Sequence, residues 1–161
     1  MNTFDIKVVS LTINNLLQTA YDFAEDVEID AYNPKRLPMV CGYVIPEFKL
    51  EEERWTRKHK VDFICNLWQG VSAGCYTVNE EIYVGDFHPE NVNVLVDGVN
   101  RLTAIEEYSH SMFKVQGQCF RDLPPNQKLF FRGIPFPKFI TNLNNHEILK
   151  INNDIINTER N

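Results

Sequence analysis

An α+β fold is predicted by three features of the chain. Short apolar runs of strand length lie between Gly, Pro, Asn and Asp, two stretches show helical periodicity, and near residue 97 a strand pattern switches to a helical one within a few positions. With 161 residues, 43% hydrophobic and 12% aromatic, the chain can bury one substantial core and is short for two complete domains. The expectation is a single compact domain over 1–161, a small mixed sheet with helices packed on it.

Taken in order, residues 4–9 (FDIKVV) alternate well enough for a short strand. Thr12 can then cap a helix whose apolar face is Ile13, Leu16, Leu17, Ala20 and Phe23. Residues 26–40 read as an acidic surface loop, aperiodic and interrupted by Asn33-Pro34 and Leu37-Pro38. A strand at 42–46 stops at Pro46, and 48–54 is a charged connection ending at Trp55. The clearest helix starts at Thr56 as N-cap and runs to Gly70, with Val61, Ile64, Cys65, Leu67 and Trp68 on one stripe.

Two strands are expected at 75–78 and 81–84, bent at Asn79-Glu80, followed by a strand at 92–96. Asp97-Gly98 turns that strand into a helix. Beyond it, 113–115 and 128–131 read as short β segments, with Leu123-Pro124-Pro125-Asn126 as a stop between them. The tail, 145–161, carries Ile148, Leu149, Ile151, Ile155 and Ile156 in a pattern compatible with an amphipathic helix. Neither an internal repeat nor a low-complexity tract is visible.

Composition narrows the function classes. No run approaches the roughly eighteen apolar residues of a membrane span, and the opening MNTFDIKVVS lacks signal-peptide blocks, so the chain is expected in the cytoplasm with no membrane partner. The four cysteines form no C-x-x-C pair and the four histidines are scattered, so no metal site is written; reduced structural thiols are expected. A formal net charge of −6 argues against bulk electrostatic coating of nucleic acid. The charge is uneven, however. Residues 22–30 hold five acids and no base, whereas 101–150 hold seven bases against four acids.

The strand, turn and helix start around Asp97-Gly98 carry the chemistry. Such a corner aims free backbone N–H groups and the positive end of a helix dipole at one point, which suits a phosphate. Arg101 and Thr103 would add a guanidinium and a hydroxyl. Each has a plainer reading as well. Asp97 can cap the helix, worth about 1 kcal/mol, Arg101 can pair with Glu106 or another acid, and Thr103 can bond back to its own helix.

Arg57 and Lys58, with His59, sit at the positive end of their helix, which fits either a phosphate-binding patch or a charge cluster with Glu51, Glu52 and Glu53. Trp55 is expected to pack on the core. His110 lies about two and a half turns from Arg101 and shares no site with it. Lys114, Arg121, Lys128 and Arg132 interleave with Phe113, Phe120, Phe130 and Phe131, compatible with nucleic-acid contact or with phenylalanines inward and bases outward.

The order Ile45-Pro46-Glu47-Phe48-Lys49-Leu50, Trp55, a helix to Gly70 and Asp97-Gly98-Val99-Asn100-Arg101-Leu102-Thr103 resembles the ParB/sulfiredoxin-like N-terminal domain of GmrSD-type restriction enzymes and its phage and bacterial relatives. Those proteins read I-P-x-Y-Q-R-x-Y-x-W, then a helix, strands and D-G-Q-Q-R-L-T. The likeness spans about residues 6–131. Lys49-Leu50 and Val99-Asn100 replace the family's Gln-Arg and Gln-Gln, and the HNH-type nuclease region of the complete enzymes is not in this sequence.

The resemblance implies a DNA-related ParB-like domain that binds a nucleotide, such as a nucleoside triphosphate with Mg2+, or a nucleic-acid phosphate. Asp97 would be catalytic, orienting a water or metal ion, and Gly98, Asn100, Arg101 and Thr103 would bind phosphate, with weak nuclease or nucleotidase activity in an active protein. Lys49, Arg57 and Lys58 are candidate nucleic-acid contacts. The alternative is a catalytically inactive adaptor or inhibitor that contacts a restriction, transcription or replication enzyme of the host or phage.

Overall fold

The computed structural model describes residues 7–26, 39–71, 74–79 and 94–141. Strand β1 is Lys7–Val9 and helix α1 is Ile13–Asp26, with Ile13 and Leu16 fully buried. Thr12 precedes α1, but its hydroxyl donates instead of capping: Asn15 Oδ1 accepts from the Thr12 backbone N–H at 3.0 Å and from its hydroxyl at 2.8 Å.

Strands β2 (Met39–Val40) and β3 (Tyr43–Val44) form a hairpin whose turn residues, Cys41 and Gly42, both have positive φ, 49° and 80°. Two such residues give the primed turn that matches strand twist. Of the loop expected over 26–40, Asp26 belongs to α1 and Met39 and Val40 to β2, while 27–38 lies outside the described residues. The strand expected over 42–46 is confined to Tyr43–Val44, and Pro46 instead precedes Glu47–Leu50, a single helical turn, α2, in place of a plain connection.

Helix α3, Arg57–Trp68, is capped by Thr56, whose hydroxyl accepts from the His59 N–H at 3.3 Å. Ile64 and Leu67 of the expected stripe are buried together with Phe63, and Val61, Cys65 and Trp68 pack at its margin. Strand β4 (Tyr76–Asn79) follows, then β5 (Val94–Asp97) and helix α4 (Val99–Ser109). The strand expected at 81–84 lies outside the described residues.

Two expectations fail. Residues 113–115 form no strand; Val115 and Gln118 exchange backbone hydrogen bonds of 2.9 and 3.1 Å around a tight turn, while Phe113 packs on Tyr108. Residues 128–131 belong to helix α5, Pro125–Arg132. The second proline of the pair is at the first helical position, where its fixed φ starts a helix and its missing N–H costs nothing. A further strand, β6 (Lys138–Thr141), was not anticipated. The tail over 145–161 is outside the described residues.

The sheet has six strands in the order β1-β6-β4-β5-β3-β2. Parallel pairs β4/β6 and β3/β5 alternate with antiparallel β1/β6, β4/β5 and β2/β3, which makes the sheet mixed. Helix α4 packs on β2 and β4 and beside α3, and α1 lies against α5. The fold is thus α+β, a small mixed sheet with helices packed on it. Tyr108 anchors the aromatic part of the core, with Phe113, Phe120 and Phe131 at 5.3–5.6 Å between ring centroids. Aromatic pairs in this range add about 0.5–1.5 kcal/mol beyond burial.

Gly98 is required twice over. Its φ is 106°, and a Cβ there would stand 2.8 Å from Tyr76 Cβ on β4. Gly98→Ala should therefore destabilise the protein by about 3 kcal/mol, the sum of a strained backbone and a steric shift; urea unfolding followed by circular dichroism measures it.

Burial pushes the Cys41 thiol well above the ordinary range, and the nearby Glu106 carboxylate pushes it the same way. The fold thus keeps a proton that the unfolded chain releases above about pH 8.5, so stability should be level through neutral pH and fall from that value upward. Unfolding midpoints between pH 7 and 9.5 should show this slope in the parent protein and lose most of it in Cys41→Ala.

Candidate functional site

The corner is built by β5 and α4. Strand β5 ends at Asp97, Gly98 turns the chain in the left-handed region, and α4 begins at Val99 with no capping side chain from Gly98. Val99 and Leu102 face the core, at 2% and 0% exposure. That rotation sends Asn100 and Arg101 sideways.

Asp97 does not cap α4. Its Oδ2 accepts from Arg101 Nη2 at 2.9 Å, an ion pair whose side chains are 57% and 27% exposed. Glu106, considered above as a partner for Arg101, instead accepts the Cys41 backbone N–H at 3.0 Å through Oε1. Asp97 lies four residues before Arg101, within reach of a guanidinium folded back along the first turn. The guanidinium covers Gly74, where a Cβ would meet its atoms at 3.8–3.9 Å, and Arg101 Nε is buried with no hydrogen-bond partner. Beside it Cys75 is raised above the ordinary thiol range by burial, with Arg101 opposing the shift and Asp97 adding to it.

Asn100 is occupied by the fold. Its Oδ1 accepts from the Trp55 N–H at 3.1 Å and its Nδ2 donates to the Glu53 carbonyl at 3.0 Å, which clasps the connection between α2 and α3. Thr103 donates to the Val99 carbonyl at 2.7 Å, the back-bonded hydroxyl expected of a helical threonine. Trp55 packs edge-on against Phe63 at 5.2 Å, within the core margin. His110 Nδ1 lies 2.8 Å from the Glu106 carbonyl, away from the corner.

The three outlying bases have local partners. Lys49 is buried and pairs with Glu52. Arg57 donates to the Met112 carbonyl at 3.3 Å and lies over the Phe113 ring at 5.0 Å. Lys58, fully exposed, pairs with Asp62 at 2.6 Å, which raises its pKa. The corner thus assembles Asp97, Gly98 and Arg101, joins Asn100 to it through a structural clasp, and leaves Lys49, Arg57 and Lys58 in separate contacts.

Sequence reasoning missed Lys60, whose Nζ reaches both Glu107 oxygens at 2.8 Å with side chains 15% and 22% exposed. The signal was present: Lys60 is four residues before Ile64 and seven before Leu67, on the buried stripe, where a cation requires a partner. The four cysteines are free, and among the described residues no group of three or more His, Cys, Asp or Glu could hold a metal ion. No described helix is long and apolar enough to cross a membrane.

Comparison of the chain with protein-family models, with curated proteins and with solved structures finds no match.

The Asn100 clasp is testable by stability alone. Asn100→Ala removes two hydrogen bonds and should cost about 2 kcal/mol, and Asn100→Asp, which keeps the acceptor for Trp55 but sets an anionic oxygen against the Glu53 carbonyl, should cost at least as much. Chemical denaturation would read both, and limited proteolysis should cut 51–56 faster in the alanine variant.

Proposed function

We propose that the chain binds the phosphate of a nucleotide or nucleic acid at the Asp97-Gly98-x-x-Arg101 corner, as a ParB-like domain with a DNA-related role. The observation that carries this reading is a partly exposed guanidinium set beside an uncapped helix start. The backbone supplies further donors, since the first-turn N–H groups of a helix have no partner within it.

The Asp97–Arg101 pair does not block such a ligand. A partly exposed pair of this spacing contributes only about 0.5 kcal/mol, so a ligand that takes its place gives up little. A phosphate can therefore displace the carboxylate from Arg101. Gly98 serves the corner by letting it approach β4, and the ligand would meet the N–H groups of 99–101. Asn100 and Thr103 support the corner without free donors. Magnesium fits here only as a companion of the phosphates, because Asp97 already shares an oxygen with Arg101 and Mg2+ keeps most of its own waters in such sites. Bound so, it would neutralise phosphate charge.

Binding of ATP, GTP, CTP with Mg2+ and of short duplex DNA by titration tests the reading. Arg101→Ala should lower affinity at least about tenfold, and equal affinity in both proteins would remove the site. Asp97→Asn keeps an acceptor for Arg101 but removes a charge, so it should raise affinity about fivefold. Phosphate release that Asp97→Asn abolishes, with binding kept, would make Asp97 catalytic; binding without release in both proteins makes the domain a binder.

A second reading, an adaptor that works by protein contact, is favoured by a different surface. On α5, Leu129 and Phe130 are 74% and 58% exposed, the former the most exposed large apolar side chain among the described residues.

A further inference from the structure

Helix α5 divides its side chains sharply. Phe131 is fully buried and meets Tyr108, Phe120 and Trp68, whereas Leu129 and Phe130 face outward. Phe130 is not loose: its ring stacks on Trp68 at 5.6 Å and 9° between planes, so α5 and the end of α3 present one rigid aromatic step. Rigid apolar side chains lose little freedom when a partner covers them, the property of interface anchors.

The surroundings are basic. Residues 120–138 hold Arg121, Lys128, Arg132 and Lys138 against Asp122 alone, within a chain of net charge −6. Arg132 is the surface neighbour of both Leu129, three positions before it, and Lys128, four before it. Both bases are tied to the domain. Lys128 Nζ donates to the Arg121 carbonyl at 2.7 Å, and the Arg132 guanidinium lies over the Phe120 ring at 5.7 Å. Their charges are therefore fixed on the Leu129 flank of the apolar pair.

We infer that the α5 face docks an acidic amphipathic helix of a partner protein, whose apolar side chains would cover Leu129 and Phe130 while its carboxylates meet Lys128 and Arg132. This rests on the protein-contact reading and adds the chemistry of the partner. Charge complementarity selects an acidic segment over a neutral one. Leu129 selects protein over single-stranded nucleic acid, because the more exposed anchor is aliphatic and offers no ring for a base to stack on. A helix presents apolar and acidic side chains together, since positions three and four apart fall on one face.

A random peptide display library selected on the full chain, beside a random single-stranded DNA pool, tests the inference. The comparison protein is Leu129→Ser with Phe130→Ala, both outside the core. The expected result is enrichment of peptides with Asp or Glu flanking apolar residues at helical spacing, at least tenfold weaker on the double variant and on Lys128→Glu with Arg132→Glu. Trp68 fluorescence, in a Trp55→Phe background, should report saturation by such a peptide. Enriched peptides without acidic bias that still need Leu129 and Phe130 would overturn the acidic partner and leave the contact reading standing. Loss of all variant-dependent enrichment would sink both. Retention of DNA that depends on Phe130, or a concentration-dependent dimer lost in the double variant, would replace the partner helix by nucleic acid or by a second copy.

Discussion

The close approach of Gly98 to Tyr76 constrains everything around the candidate site. Strand β4 is central in the sheet, flanked by β5 and β6, and Tyr76 is fully buried between Tyr43 and Phe136, so β4 has no room to retreat. The turn after β5 must then be made by a residue without a side chain and with positive φ. Only with that turn does α4 leave at the angle that buries Val99, Leu102, Ala104, Ile105 and Tyr108. Five buried side chains, each alanine-sized or larger, far outweigh the backbone entropy that one glycine costs.

Once α4 is oriented, its polar side chains become ties to the neighbouring elements. Glu106 holds the β2–β3 turn through the Cys41 N–H, Glu107 holds α3 through Lys60, and Asn100 holds the chain entering α3. These contacts add less net stability than their short distances suggest, because the groups give up water to make them. Their larger effect is on register. Losing either Lys60 or Glu107 strands a charge that is mostly shielded from solvent, so α3 and α4 have one favourable alignment. A phosphate at the corner would meet a frame already fixed.

The sequence made some of this legible and hid the rest for identifiable reasons. Thr56, the 3.6-residue stripe through Ile64 and Leu67, and the Asp97-Gly98 junction each signal locally, and helix α3, strand β5 and helix α4 stand where those signals put them. Strand β2 is too short to show alternation, at two residues, and β6 follows Pro135 and Pro137 with Phe139 and Ile140 side by side instead of alternating; both exist because neighbours pair with them. Helix α5 was hidden because the run KLFF satisfies strand and helix patterns alike, and the proline that starts the helix reads as a breaker. Within the corner, the presence of Arg101 beside Asp97 could be read from spacing, but the engagement of Asn100 could not. Its partners, Glu53 and Trp55, are more than forty positions away, and no local pattern reports a contact of that range.

Asp97 looks like a competitor for any anion, yet its position argues for a preparatory role. An unrestrained arginine carries about 2 kcal/mol of rotamer entropy, much of which a ligand must remove before it gains two good hydrogen bonds. Here the ion pair and the contact over Gly74 already confine the guanidinium, with Nε turned inward and Nη2 held at the surface by an exposed carboxylate. Exchanging that carboxylate for a phosphate oxygen would substitute one anion for another without unlocking the side chain. The same logic separates the two surfaces of the molecule. At α5 Lys128 and Arg132 are held by a carbonyl and an aromatic ring, and among the described residues neither is in an ion pair. The charges of the Asp97–Arg101 corner balance until a ligand takes the place of Asp97, whereas Lys128 and Arg132 carry no paired carboxylate among the described residues. The first is suited to selecting a strong, compact anion and the second to attracting an extended acidic one.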